Sequence, residues 1–387
     1  MGVPVLDLTR QYASIREEVE GAIREVFETQ HFILGQNGAS LEKECAAHLG
    51  AAHAVWCASG TDAILLGLRA LGLRRGEGVL TTSFTFFATA GAIHNAGGYP
   101  FFADVDPDTY NLDPKAVKRF LEHECAPGDD GLPVHKVTGR TIRVLMPVHI
   151  YGLCADMDAL NDLARKHGLK VLEDACQAYG AAYKGRRAGT LGHLGAFSFF
   201  PTKNLGGSGD GGLMTAGDAA LADHLRMLRV HGSKERYMHD EIGYNSRLDE
   251  LQAAVLRVKL PRVDGWNAQR AEVAQCYHEG LDGLAQVVTP SASAGFVHIY
   301  HQYVIRAERR DELKAFLQER GVGSMIYYPV PLHQQTCFRF LGYRDGDLPH
   351  AEKAARQVLA LPVFAELRRE EVDEACAGIR AFYSGSR

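Results

Sequence analysis

No long apolar run occurs in this chain. Its longest, such as 63–66 and 142–148, are short and interrupted, well under the ~20 residues a bilayer-crossing helix needs. A membrane partner is therefore not expected. The first ten residues lack a basic region leading into an apolar core, so a secretory leader is not expected and the cytoplasm is the expected location. Eight cysteines are scattered with no C-x-x-C pair, and H-E-x-x-H does not occur. That pattern predicts no structural or catalytic metal and reduced, mostly buried thiols. Positive charge is not in excess either. A formal net charge of -5 creates no field that would recruit nucleic acid or an anionic membrane, so an anionic ligand must be gripped by local groups. Internal repeats and low-complexity tracts are absent as well.

What is there is an ordinary globular composition: 387 residues, 46% hydrophobic, 23% charged and 41 glycines. That is enough for one large α/β domain and a smaller one. Short apolar runs alternate with helical periodicity from about residue 50 to 250, which predicts βα units and a mainly parallel sheet. Strands are predicted at 53–57, 78–82, 99–103, 142–148, 169–173, 196–200 and 212–216. Helices are predicted at 62–73, 115–123 and 157–167. The polar stretch 126–140, with two prolines and three glycines, is expected to be a surface insertion. Beyond Pro261 the pattern changes to a helix near 266–281, a β run at 298–306 and a helix at 311–320. These place a second domain at 260–387 and the large one at 1–259, with residues 1–50 wrapping back against the second.

Three segments carry chemistry. In Ala196-Phe-Ser198-Phe-Phe-Pro-Thr-Lys203-Asn-Leu-Gly-Gly-Ser-Gly-Asp-Gly-Gly212 an apolar strand runs into a turn with one lysine and then a glycine-rich loop. A lysine at a strand end beside an apolar wall is partly desolvated, which favours the neutral amine that Schiff-base formation requires. The bland alternative is a surface loop lysine. The loop matches G-x-G-x-x-G, but a β-like run follows it instead of the helix a dinucleotide site needs. The glycines are expected to let the backbone bend around a ligand.

The second segment, Val171-Leu-Glu-Asp174-Ala-Cys-Gln177, ends an apolar strand on carboxylates. A carboxylate there lies on the ligand-binding edge of a parallel sheet and, paired with a pyridinium nitrogen, keeps an electron sink protonated. Gln177 is spaced to reach the neighbouring ring oxygen. Alternatively, Asp174 caps the following helix. In the third, Ser59-Gly60-Thr61 at a helix start offers N–H groups, hydroxyls and the positive dipole end of a phosphate site, or else an ordinary N-cap. A basic cluster, Lys184-Gly-Arg186-Arg187, is either a diphosphate contact or a solvated β-turn.

Together with Thr82-Ser-Phe-Thr-Phe86-Phe-Ala-Thr89, Pro147-Val-His-Ile-Tyr151-Gly152, Gly243-Tyr-Asn245-Ser-Arg247 and Tyr328-Pro-Val-Pro-Leu-His333, these segments resemble the DegT/DnrJ/EryC1/StrS sugar aminotransferases over nearly the whole chain. The resemblance implies a fold-type-I α/β architecture dependent on pyridoxal 5'-phosphate (PLP). Its large domain would hold a mainly parallel seven-stranded sheet between helices, and a smaller α/β domain would lie at the C-terminus. By resemblance, Lys203 is the Schiff-base lysine and proton carrier, Asp174 partners the ring nitrogen, Gln177 the ring hydroxyl, and Phe86 the ring face. Ser59, Gly60, Thr61 and Ser198 are implied to hold the phosphate, with Asn245 reaching it from the other subunit of a homodimer. His333, Tyr328 and Tyr151 are implied to face the substrate.

The implied reaction uses an amino donor, usually L-glutamate, to convert a nucleotide-linked keto sugar into an amino sugar for O-antigen or glycoside biosynthesis. Cyclitol aminotransferases share the motifs. Sugar dehydratases of the family replace the lysine by histidine, and a regulatory protein that keeps PLP as a ligand would be marked by loss of Lys203 or Asp174.

Overall fold

In a computed structural model of the chain, residues 2–385 are described. Seven strands form the central sheet: β1 His53–Cys57, β2 Gly78–Thr82, β3 Tyr99–Ala103, β4 Ile142–Leu145, β5 Lys170–Asp174, β6 Leu194–Ser198 and β7 Gly212–Ala216. Their spatial order is β1-β7-β6-β5-β4-β2-β3. From β6 to β3 every pairing is parallel, and β7 runs antiparallel to both β6 and β1. Consecutive strand residues are buried in opposite hydrophobic clusters: Val55 and Trp56, Val79 and Leu80, Val171 and Leu172, Ala196 and Phe197. Such strands are covered on both faces, which is why they read as unbroken apolar runs.

The helix Gly60–Ala70 starts directly after β1 and packs on the sheet so closely that a Cβ on Gly67 would sit 3.1 Å from Leu172. Its hydroxyl N-cap, Ser59, accepts from the Asp62 N–H at 3.1 Å. A second, three-stranded antiparallel sheet comprises β8 Val287–Val288, β9 Tyr303–Ala307 and β10 Val358–Leu361. Helices Val263–Leu281, Arg310–Glu319 and Arg369–Ser384 bury Tyr277, Leu313 and Ile379 against it. Val3 pairs with Val322 beside this sheet. The next two helices, Leu8–Thr29 and Gln36–Leu49, instead lie against Glu250–Lys259. Buried Glu250 draws the second of them in by accepting from the N–H groups of Gly35, Asn37 and Gly38 at 2.8–3.0 Å, a carboxylate at the positive end of a helix.

Several boundaries differ from expectation. The β4 ladder stops at Leu145, and only Val148 returns to pair with Asp174; Pro147 has no N–H to continue it. The 196–200 strand lies two residues earlier, as Leu194–Ser198. The helix near 115–123 is α-helical over Pro114–Arg119 and widens into a π turn over Phe120–Glu124. The supposed loop 126–140 contains a hairpin, Cys125–Pro127 against Pro133–His135, whose prolines sit where an edge pairing tolerates them.

Candidate active site

The ends of β1, β5 and β6 share one edge of the sheet, since Cys57 and Ser198 both face Gly212 and Ala196 faces Asp174 in the register. Over that edge opens a cavity of about 520 Å³. Ser59, Gly60, Thr61, Phe86, Ser198, Lys203 and Tyr328 line it, with Cys176, Asp210, His301 and Gln302.

Lys203 sits in the turn after β6, where its backbone N–H donates to the Phe200 carbonyl at 2.8 Å. It is half-buried, and among the described residues no hydrogen bond or ion pair holds its ammonium. Burial pulls its pKa below the ordinary lysine value, while Cys176 and Asp174 act in the opposite direction. The result is an amine predisposed to be neutral.

Asp174, 4% exposed, accepts from the Thr89 hydroxyl at 2.7 Å on one oxygen and from the Cys176 N–H at 3.2 Å on the other. It begins no helix. Gln177 is fixed on both sides, accepting from the Tyr151 N–H at 2.7 Å and donating to the Tyr328 hydroxyl at 2.9 Å. Phe86 is 56% exposed into the cavity and packs 6.1 Å from the Tyr328 ring, centroid to centroid. A Cβ on Gly60 would lie 2.6 Å from Ser198 and 3.0 Å from Cys176. Glycine there lets the helix N-terminus close on the strand ends.

Tyr151 and His333 lie away from this cavity, and Asn245, expected to serve the partner's site, lies outside its own chain's cavity. Tyr151 is buried outside the cavity, its hydroxyl donating to the Tyr327 carbonyl. His333 is buried, with one ring nitrogen 3.1 Å from Ser83 Oγ and the other 3.3 Å from Glu352; both nitrogens are already engaged, so it does not line the cavity. Asn245 is exposed outside it, although the neighbouring Ser246 hydroxyl donates to Asp62 at 2.7 Å in the first turn of the Gly60–Ala70 helix.

The loop glycines have a different reason from the one expected. A Cβ on Gly206 would lie 2.3 Å from the Pro201 carbonyl oxygen, and on Gly207 or Gly209 2.9 Å from the Gln252 amide. They answer protein packing, and Asp210 is the loop residue that reaches the cavity. The basic cluster is a hairpin turn whose Arg187 pairs with Asp264 at 3.0 Å. Thr89, the last residue of the Thr82–Thr89 segment, carries no signal of its own in the sequence, and neither do His301 and Gln302.

All eight cysteines are free thiols, five of them buried. No group of three or more metal-ligating side chains occurs among the described residues, and no described helix is long and apolar enough to cross a membrane.

A desolvated amine, a buried carboxylate, an exposed aromatic wall and a hydroxyl-bearing helix start fit a flat, phosphorylated aromatic aldehyde. Fold and site define the class: a PLP-dependent aminotransferase of fold type I.

The family model of the DegT/DnrJ/EryC1/StrS aminotransferases matches residues 13–380. A protein of Geobacillus stearothermophilus named "Pleiotropic regulatory protein" is 48% identical over 99% of both chains. A UDP-N-acetyl-3-dehydro-α-D-glucosamine 3-aminotransferase of Acidithiobacillus ferrooxidans is 43% identical over 99% of this chain and 98% of its own. The structure of S. venezuelae DesV in complex with a ketimine intermediate superposes with a TM-score of 0.92 at 41% identity, covering 98% of each chain. The chain belongs to the DegT/DnrJ/EryC1/StrS aminotransferase family.

Proposed function

We propose that the protein aminates a nucleotide-linked keto sugar, with the keto group at C3, using L-glutamate as donor. The observation that carries this reading is the unpaired, desolvated Lys203 amine facing the same cavity as Phe86 and Ser59-Gly60-Thr61, with Asp174 packed behind. The Acidithiobacillus relative, named for a 3-keto UDP sugar, supports the substrate class and the position.

When bound, PLP supplies an electron sink for the carbon that loses its proton. Lys203 Nζ would take that proton from the donor's α-carbon and pass it to the cofactor carbon that carried the aldehyde, and would move a proton in the opposite sense onto the sugar carbon, so one base would serve both half-reactions. Asp174 would keep the ring nitrogen protonated. Thr89 and the Cys176 N–H orient that carboxylate from two sides. Gln177, braced by Tyr151 and Tyr328, would present its amide to the ring hydroxyl, and Phe86 would cover one ring face. The start of the Gly60–Ala70 helix, with Ser198, would receive the phosphate.

The same proposal includes a cytoplasmic homodimer, in which Asn245 completes the partner's phosphate site, and a division into a cofactor-binding part, 1–259, and a smaller part, 260–387. A second reading, a PLP-binding regulator, is favoured by the name of the Geobacillus relative. The retained Lys203 speaks for turnover.

The test converts the enzyme to its pyridoxamine form and offers UDP-, dTDP- and GDP-linked keto sugars. Return of the pyridoxal absorbance with one of them is expected. If a free keto-cyclitol alone restores it, the substrate class changes to cyclitols; if nothing does, and L-glutamate fails to shift the absorbance at the start, the regulatory reading replaces this one.

A further inference from the structure

Beside the cofactor cavity lies a second one, of about 620 Å³. Thr202, His301, Gln302 and Tyr327 line both. Thr202 precedes Lys203 in the chain, so the second cavity adjoins the place where the amine stands. Arg270 lines it from the helix Val263–Leu281.

This arginine is 6% exposed. Its Nη1 donates to the carbonyls of Val363, Tyr300 and His301 at 2.9, 3.2 and 3.5 Å. Its Nε and Nη2 donate to no described protein group, and the residue lines the cavity. No carboxylate stands at ion-pair distance among the described residues. Burial accordingly pulls its pKa down to about 10, with Glu366 acting weakly the other way. A guanidinium taken out of water without a counter-ion is costly, and its two free donors form the edge that grips a carboxylate in bidentate fashion.

Gln302 adds a second unmet group at the junction of the two cavities. Its side-chain oxygen is buried without a hydrogen-bond partner, and a half-turn of the amide would present the NH2 donors in its place. The one carboxylate in the lining, Asp7, is already engaged by the Thr9 N–H and hydroxyl and by Arg10. His301 Nδ1 is occupied by Asn204 at 3.1 Å, and burial keeps the ring neutral.

We propose that this second cavity is a carboxylate subsite, in which Arg270 and Gln302 hold a carboxylate of the amino-acid donor next to Lys203. The proposal rests on the transaminase reading above. An α-amino acid keeps its carboxylate as the amine becomes a ketone, so one subsite serves the donor and the 2-oxo acid that leaves. Arg270 also ties 300–301 to 363 through Nη1, and the test separates that structural duty from ligand binding.

Glutarate, which lacks the amine and cannot react, and its uncharged diamide glutaramide are titrated calorimetrically into the PLP-loaded enzyme. Glutarate is expected to bind at least about tenfold more tightly, the scale of one charged hydrogen bond. Arg270→Gln should erase that preference, and Gln302→Leu should weaken glutarate several-fold. Gln302→Leu breaks no side-chain bond within the protein, so it decides the matter if Arg270→Gln fails to fold. A purely structural Arg270 would shift the melting temperature and leave the preference intact in the folded variant. Equal affinity for glutarate and glutaramide in the wild type overturns the subsite, as does the absence of glutarate binding at millimolar concentration or an unchanged Gln302→Leu. A protein that aminates a nucleotide sugar with L-glutamate yet binds no glutarate loses the subsite and keeps the function. One that binds glutarate through Arg270 yet aminates no sugar does the reverse.

Discussion

Glu173 and Asp174 are neighbours on one strand, both carboxylates, both buried, and their surroundings differ completely. Glu173 is fully enclosed and accepts four hydrogen bonds: from the His149 ring at 2.9 Å and from the N–H groups of Gly189, Leu191 and Gly192 at 2.6–2.7 Å. It ties the turn before β6 to the strand. Asp174 accepts one bond on each oxygen and lies behind Lys203's cavity. Strand residues alternate between faces, so a single step along β5 separates a structural carboxylate from one left with capacity for a ligand. The comparison teaches that burial alone does not mark a functional acid. Unspent hydrogen-bonding capacity beside a cavity does.

The largest effect expected on the ligand side is that of Lys203→Ala. Turnover should fall on the order of 10³-fold or more, since the base that moves the proton is gone, while the melting temperature holds or rises on losing a desolvated amine. A variant with near wild-type steady-state rates would remove Lys203 from the chemistry.

The paired substitutions Asp174→Asn and Glu173→Gln then set the two carboxylates against each other. Asp174→Asn should lower the single-turnover rate by orders of magnitude at saturating cofactor with little change in stability, because a neutral amide no longer favours the protonated ring nitrogen. Glu173→Gln should instead cost about 3 kcal/mol of stability, since it disturbs a fully bonded buried acceptor. Chemical denaturation and stopped-flow absorbance together measure both. Reversed outcomes would break the contrast.

A smaller effect sharpens it. Thr89→Val removes one hydrogen bond to the Asp174 carboxylate, and about a tenfold fall in rate is expected. The absorbance titration of the bound cofactor should move with it, a readout that a packing defect alone would leave in place.

A last effect, absent at neutral pH, concerns acid. Burial holds His298 down at about 3 and His301 well below the ordinary histidine value. Below pH about 6.5 the unfolded chain binds protons at these two rings that the folded chain refuses, so stability falls as pH falls from 6.5 towards 3. Melting temperatures across that range should drop less steeply in His298→Gln than in the wild type; identical slopes would show that His298 is not the group responsible.

Much of this was legible in the residues. Gly78–Thr82 and Tyr99–Ala103 read correctly because strands covered on both faces are apolar without interruption. Lys203, Asp174 and Ser59-Gly60-Thr61 read as chemistry because each stands where a strand ends. Boundaries failed where apolar composition outruns the ladder, as between Leu145 and Val148, and where prolines disguised the hairpin around Cys125–Pro127. The surroundings of His333 were not legible for a different cause: pairing with Ser83 and Glu352 is a tertiary fact. Arg270 and Gln302 were invisible because chain closure, not local sequence, brings them beside Thr202.

The central claim, that Lys203 carries the cofactor, is tested most directly by borohydride reduction of the PLP-loaded enzyme followed by peptide mass mapping. The account predicts a phosphopyridoxyl group fixed to the peptide that contains Lys203, with its label lost in Lys203→Ala. A label on any other lysine, or retention of the label in that variant, would contradict it.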